Sequence, residues 1–470
     1  MLSFGFTGAN APWRGSSLWR EPLHYTLRIK QKTDREELEM SEASLNSEKA
    51  FVLYLSGLGM SDISGLGEVE RLMKSGVVVE LEPEPIVSPQ SLYYQLFSGR
   101  LPASFGFFDT LMPAHHLWRV PQGVLDYTIV EEYAGRDATP QTLDERLRLA
   151  GWDVEYEQTP LAELAVRIQA LTSRQSRGAS CKIVRCLIDR DQHGHAQTAI
   201  PESIGRAIDE SLRHVQTWLG EDGLLVLLSD GQAAAVQRYV NVNNFLADVG
   251  LIERDEGSGL VNWPNSLAFF AGHGQLWVNL LGRDIQGAVH PQGEYEEVRE
   301  TLVKALPTKL RDSETGATVV ERVVRKEELY AGDYVFCAPD LVVLFQPGYA
   351  PSPSSLRLGF DETTFSTPGA GTALRAGVHP SSVKGFLLAR SPVLSSGLSF
   401  AGTASLTAVS PTLMHALGVE YVDMDGEALE ELFLPSYLEA RPIRASRRRG
   451  ELSEEDEELI INRLRDLGYV

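Results

Sequence analysis

The sequence predicts an α/β protein with a mainly parallel central sheet flanked by helices. Three observations carry that expectation. Four runs, FVLYLSG (51–57), GVVVELEP (76–83), CKIVRCLID (181–189) and GLLVLLSD (223–230), are largely apolar, as strands covered on both faces are. Helical stretches lie between them, such as TPQTLDERLRLAG (139–151) and IPESIGRAIDESLRHVQTWLG (200–220), and this alternation implies a parallel sheet with helices on its faces. The chain, at 470 residues, is long enough for one large core plus an insertion.

The elements follow in order. Residues 1–50 form an N-terminal extension, in which HYTLRIKQ (24–31) alternates like an edge strand and TDREELEMSEASLNSEKA (33–50) suits a linker or a solvated helix. Residues 51–232 supply the first half of the core. Residues 233–370 read as an inserted cap, with a helix at EYEEVRETLVKAL (294–306) and a loop at PGYAPSPSS (347–355). Residues 371–440 return to the core with GFLLA (385–389) and a helix near 408–417. Residues 441–470 form a helical tail. Its Ser453 is an N-cap with Asp456 at the third position, and acidic residues lead while arginines trail, as the helix dipole favours.

Composition excludes several function classes. The formal charge is −21, against the basic footprint that nucleic-acid binding needs and against an anionic membrane surface. No run reaches the length of a membrane span. The start, MLSFGFTGANAPWRG, has neither a basic region nor a long apolar one, so a secretory signal is not expected and a cytoplasmic location is. Three cysteines, Cys181, Cys186 and Cys337, form no disulfide framework and no Cys-x-x-Cys pair, and read as small buried hydrophobes. The runs GSGLVNW (257–263) and GAGTAL (369–374) are not strand–turn–helix phosphate cradles and read as loops, so no organic cofactor is expected.

The chemistry concentrates in LIDRDQHGH (187–195). Asp189 and His193 stand four apart after an apolar run, and His379 lies far downstream in AGVHPSSVKG (376–385). One carboxylate and two imidazoles can hold a zinc-like divalent ion with a position left open. Open α/β sheets gather ligands beyond the carboxyl ends of their strands, and Ser56, Asp189 and Asp230 each follow a strand-like run at that end. His195, His115 and His116 could supply a ligand, but each reads first as a surface or packed histidine. Arg447, Arg448 and Arg449 read as a solvated stretch.

From Phe51 to the C-terminus the chain resembles the alkaline phosphatase superfamily, in its type I phosphodiesterase/nucleotide pyrophosphatase branch with the predicted phosphohydrolase/phosphomutase relatives. The segments that carry the resemblance include FVLYLSGLG (51–59), SPQSLYYQLFSGRLPASFGFFD (88–109), LIDRDQHGH (187–195), LLVLLSDGQ (224–232), LWVNLLGRDIQGAV (276–289), ELYAGDYVFCAPDLVVLF (328–345), AGVHPSSVKGFLLA (376–389) and SPTLMHALGV (410–419). Their collinear order is the signal. The resemblance implies an alkaline phosphatase-like core and two metals. One metal maps to Asp189, His193 and His379. The other maps to Ser56, Asp230 and Gly231, where such proteins carry Asp, Asp and His. Phe105-Gly106 stands where they have His-Gly. Their nucleophile sits nine residues before a Thr-Gly. Counting back from Ser98-Gly99 lands on Pro89, so Ser88 is the candidate nucleophile if one residue is inserted; otherwise Ser88-Pro89 is a turn opener.

The expectation is therefore a metal-dependent phosphohydrolase-like protein with one retained divalent metal, zinc by its ligands, and a second that is weak or absent. Its substrate would be a small phosphoester or a related oxyanion, with poor turnover of generic esters and a reaction open to biosynthetic reuse. The alternative is a pseudoenzyme that binds a ligand or a partner protein. Ser56→Asp together with Gly231→His is expected to restore the second metal.

Overall fold

The structure is a computed structural model that describes residues 47–83, 89–109, 111–113, 127–129, 140–175, 178–187, 202–255, 257–284, 286–356, 358–369, 372–374 and 377–444. The chain divides into two units, Met1–Met40 and Ser41–Val470, and every described residue lies in the second. The expected edge strand at 24–31, most of the 33–50 stretch, and the tail helix with Ser453 and Asp456 lie outside the described residues. So do Ser88, His115, His116, Asp189, His193, His195 and Arg447–Arg449.

The first part of the chain runs β1 (Lys49–Ser56), α1 (Gly67–Ser75), β2 (Val77–Glu82), α2 (Pro89–Ser98), α3 (Leu143–Leu149), β3 (Asp153–Pro160), α4 (Leu164–Thr172), β4 (Ser180–Leu187), α5 (Glu202–Leu219) and β5 (Leu224–Ser229). Next come β6 (Ala268–Ala271), β7 (Gln275–Val278), α6 (Glu294–Lys309), β8 (Val320–Arg325) and β9 (Leu341–Phe345). The described core ends with β10 (Gly385–Arg390), β11 (Leu398–Ser405) and α7 (Val409–Ala416).

Seven strands form the central sheet in the order β11-β2-β10-β5-β1-β4-β3. The pairs β5–β1, β1–β4, β4–β3 and β11–β2 are parallel, while β10 pairs antiparallel with both β2 and β5. Thus β10 alone opposes the others. The reversal brings the segment that precedes β10, including His379, to the edge where the other strands end.

The runs in β1, β4 and β5 are buried on both sides, since successive side chains point to opposite faces, while β2 buries one face only. Ala50, Val52 and Tyr54 of β1 join the layer with Leu96 and Phe97 of α2, Leu147 of α3 and Leu413 of α7. Phe51, Leu53 and Leu55 join the opposite layer with Leu72 of α1, Ile168 of α4 and Ile208, Leu212 and Val215 of α5. In α5 the buried residues 205, 208, 212, 215 and 219 recur at helical spacing, so one stripe meets the sheet. At α3, Thr142 and Glu145 close a capping box, which fixes the start of the helix inside the expected 139–151 stretch.

Strands β6, β7, β9 and β8 make a separate antiparallel sheet in that order. α6 packs on β8 and extends three residues past the expected 306. A buried ion pair ties this sheet together: Arg283 donates to Asp340 at 2.8 Å, and the Tyr295 hydroxyl donates to the same carboxylate at 2.7 Å. Among the described residues, no helix is long and apolar enough to cross a membrane.

Candidate functional site at the carboxyl edge of the sheet

β1 and β5 are neighbours in register, with Tyr54 opposite Leu228 and a bridge between Gly57 and Gln232 beyond the strand ends. This sets Ser56 beside Asp230. The Asp230 carboxylate is fully buried. Its Oδ2 accepts from the Tyr54 hydroxyl at 2.8 Å and the Ser56 hydroxyl at 3.1 Å, and its Oδ1 accepts from the Gly57 N–H at 3.1 Å. These neutral donors offset the cost of taking the carboxylate out of water. The Ser229 hydroxyl donates to the Leu58 carbonyl at 2.6 Å and accepts from the Gly231 N–H at 3.2 Å, so the two loops are stitched together.

Gly231 has φ 128°, a conformation that side chains rarely adopt, and a Cβ there would lie 1.9 Å from the Val383 carbonyl oxygen. The segment between His379 and β10 rests directly on the bare backbone. Gly231 is therefore required by the packing, whatever chemistry a histidine would bring. The expected rescue by Ser56→Asp with Gly231→His meets this obstacle, since no side chain fits at 231 unless the Val383 segment moves. A hydroxyl, a carboxylate already holding three donors, and a glycine do not make the ligand set of a divalent cation.

His379 caps the short turn Pro380–Ser382. Its Nδ1 accepts from the Ser381 N–H at 3.2 Å and lies 2.6 Å from the Ser381 hydroxyl. Its Nε2 is 2.7 Å from Oε2 of Glu321 on β8. This pattern assigns the proton to Nε2, donated to Glu321. Neither ring nitrogen then offers a lone pair to a metal.

The structure brings Ser56, Asp230 and Gly231 together, and it sets the His379 segment against Gly231. The partners needed to complete an ion site with His379, Asp189 and His193, lie outside the described residues, as does Ser88. β4 ends at Leu187, in register with Ser56. Among the described residues, no cluster of three or more His, Cys, Asp or Glu side chains could hold a metal. Burial pushes the Cys181 and Cys186 thiols up to about 12, so neither is a thiolate nucleophile at neutral pH.

Several residues escaped the sequence reading. Tyr54 shares a strand face with Ser56 two positions on, a signal that was present in the period of the strand. Glu321 is 58 positions from His379 and left no local trace. A second carboxylate–imidazole pair joins the core to the β6–β7 turn. Buried Asp109 accepts from the His273 backbone N–H at 2.7 Å and meets His273 Nδ1 at 2.8 Å. Burial opposes both charges, but their attraction and hydrogen bonds outweigh it, holding the Asp109 carboxyl low and the His273 imidazole high.

No protein-family model matches the sequence. No curated protein matches it either. Solved structures do. Murine ectonucleotide pyrophosphatase/phosphodiesterase 5 aligns at TM-score 0.52 with 13% identity, over 82% of this chain and 100% of that one. An inactive variant of the same murine protein, in complex with AMP, aligns at TM-score 0.51 with 14% identity, over 82% of this chain and 99% of that one. At that identity the likeness speaks of architecture alone. The chain has the α/β fold of the nucleotide pyrophosphatase/phosphodiesterases, at low sequence identity.

Proposed function

We propose that this chain binds a small phosphoester or a related oxyanion at the carboxyl edge of its sheet, and turns over generic phosphoesters weakly or not at all. The observation that carries this reading is the closed arrangement of Ser56, Asp230 and Gly231, in which neutral donors surround the one carboxylate. Phosphoryl transfer depends on positioning and on charge stabilisation. Where a second cation has no ligands, its contribution to the transition state is missing. At several kcal/mol for such an ion, the rate falls by about 10³-fold or more.

Two versions of the reading differ in metal content. In the first, Asp189, His193 and His379 hold one divalent ion, zinc by their chemistry, and Ser88 is the nucleophile. When bound, such an ion would neutralise charge on a phosphoryl oxygen. Binding would require His379 to release either Glu321 or the Ser381 N–H. In the second version no ion is held, and the chain is a ligand- or partner-binding pseudoenzyme. The bond between His379 and Glu321 favours it.

The test is titration of the full chain with AMP, alongside turnover of an aryl phosphate and an aryl phosphodiester with zinc supplied. AMP binding with turnover at or near background supports the reading. Fast turnover that Ser88→Ala abolishes contradicts it. Residual turnover that Ser88→Ala removes without weakening AMP binding favours the one-metal version over the pseudoenzyme.

A further inference from the structure

Arg185 is a charged residue inside the central sheet. It lies on β4, opposite Tyr54 of β1 and Gln158 of β3. Its guanidinium is covered by aromatic rings, 4.4 Å from the Tyr93 centroid and 5.5 Å from the Tyr54 centroid. Tyr54 is the residue whose hydroxyl donates to Asp230. The guanidinium therefore stands one tyrosine ring from the strand-end loop of the candidate site.

Its hydrogen bonding is unfinished. Rings interact with the flat faces of a guanidinium and leave its in-plane N–H donors unanswered. Nε of Arg185 is buried without an acceptor, and no hydrogen bond or ion pair links the side chain to any described residue. The contrast with other arginines in this acidic chain is sharp. Arg283 is paired with Asp340 and Asp284, Arg299 with Glu327 and Glu296, and Arg146 donates to the Gln141, Val422 and Asp423 carbonyls. Among the described residues no carboxylate answers Arg185, which leaves its donor fork to an acceptor of another origin. An edge of parallel N–H donors matches a pair of oxygens on one phosphorus atom.

We propose that Arg185 is the anion anchor of the site, donating in-plane to two phosphoryl oxygens of the bound ligand. It supplies a fixed positive charge one tyrosine ring from Asp230. The inference rests on the reading that the carboxyl edge of the sheet takes a phosphoester.

Calorimetric titration of the full chain with AMP, inorganic phosphate and adenosine tests it. Arg185→Met should weaken AMP and phosphate binding about tenfold to a hundredfold, the range for charge-assisted hydrogen bonds. Adenosine binding should not change. Arg185→Lys keeps the charge, loses the fork, and should fall between. Should the substitutions disturb folding, phenylglyoxal labelling of Arg185 in the unaltered chain, read by mass spectrometry, should slow when AMP is present and not when adenosine is. Equal AMP affinity in wild type and Arg185→Met, or labelling that AMP leaves unchanged, overturns the role of Arg185 and leaves the phosphoester reading standing. Absence of AMP and phosphate binding in the wild type overturns both.

Discussion

Gly231 illustrates how a position can look like a lost ligand and be a packing requirement. Gly231→Ala adds a Cβ against the Val383 carbonyl at a strained φ. Combining overpacking and backbone strain, it should cost about 2–5 kcal/mol, read as a lower urea midpoint at constant slope. Tyr54→Phe removes one donor from buried Asp230 and should cost ~1–3 kcal/mol by the same measurement. The Asp109–His273 pair predicts a pH dependence. The raised imidazole contributes stability that is present below the ordinary histidine range, about 6.5, and is lost as pH rises through its folded value. The depressed carboxyl contributes above the ordinary aspartate range, about 3.9, and is lost on acidification. His273→Gln should flatten the loss of stability on the alkaline side of pH 6.5, measured as denaturation midpoints across pH; an unchanged profile would show that the pair does not stabilise. Ser56 and Asp230 could be read from the sequence because each ends an apolar run. The constraint on Gly231 and the partner of His379 could not. Both depend on segments far along the chain, Val383 and Glu321, whose approach leaves no local pattern.

Strands were easier to read than the directions in which they run. Four apolar runs became β1, β2, β4 and β5; burial on both faces demands that composition in β1, β4 and β5, and β2 alternates with one face buried. The opposed direction of β10 was not visible, since GFLLA reads alike either way. That direction matters, because it delivers the His379 segment to Gly231. β3, at the sheet edge, reads poorly because DVEYEQTP is only partly buried. The two layers predict a contrast. Leu53→Ala, in a fully buried position, should cost ~2–5 kcal/mol. Leu149→Ala, at a residue 73% exposed, should change stability by about 0.5 kcal/mol or less. Equal losses at both sites would contradict the layer assignment.

The chain has the α/β fold of the nucleotide pyrophosphatase/phosphodiesterases, and its strand-end loops hold neutral donors around Asp230 and bare backbone at Gly231. The resemblance in the sequence foresaw the architecture from collinear segments. It read the changes at Ser56 and Gly231 as subtraction. The structure shows what these positions do: Ser56 joins Tyr54 in bonding Asp230, and Gly231 lies against the Val383 carbonyl. Metal stoichiometry of the full chain, equilibrated with excess zinc, freed of unbound ion and analysed by mass spectrometry of the elements, bears on that replacement without any assumption about substrate. The proposed arrangement predicts no more than one equivalent per chain. Binding of close to two equivalents, each removed only by a strong chelator, would contradict it, because other residues would then have to complete a second cation site beside Asp230.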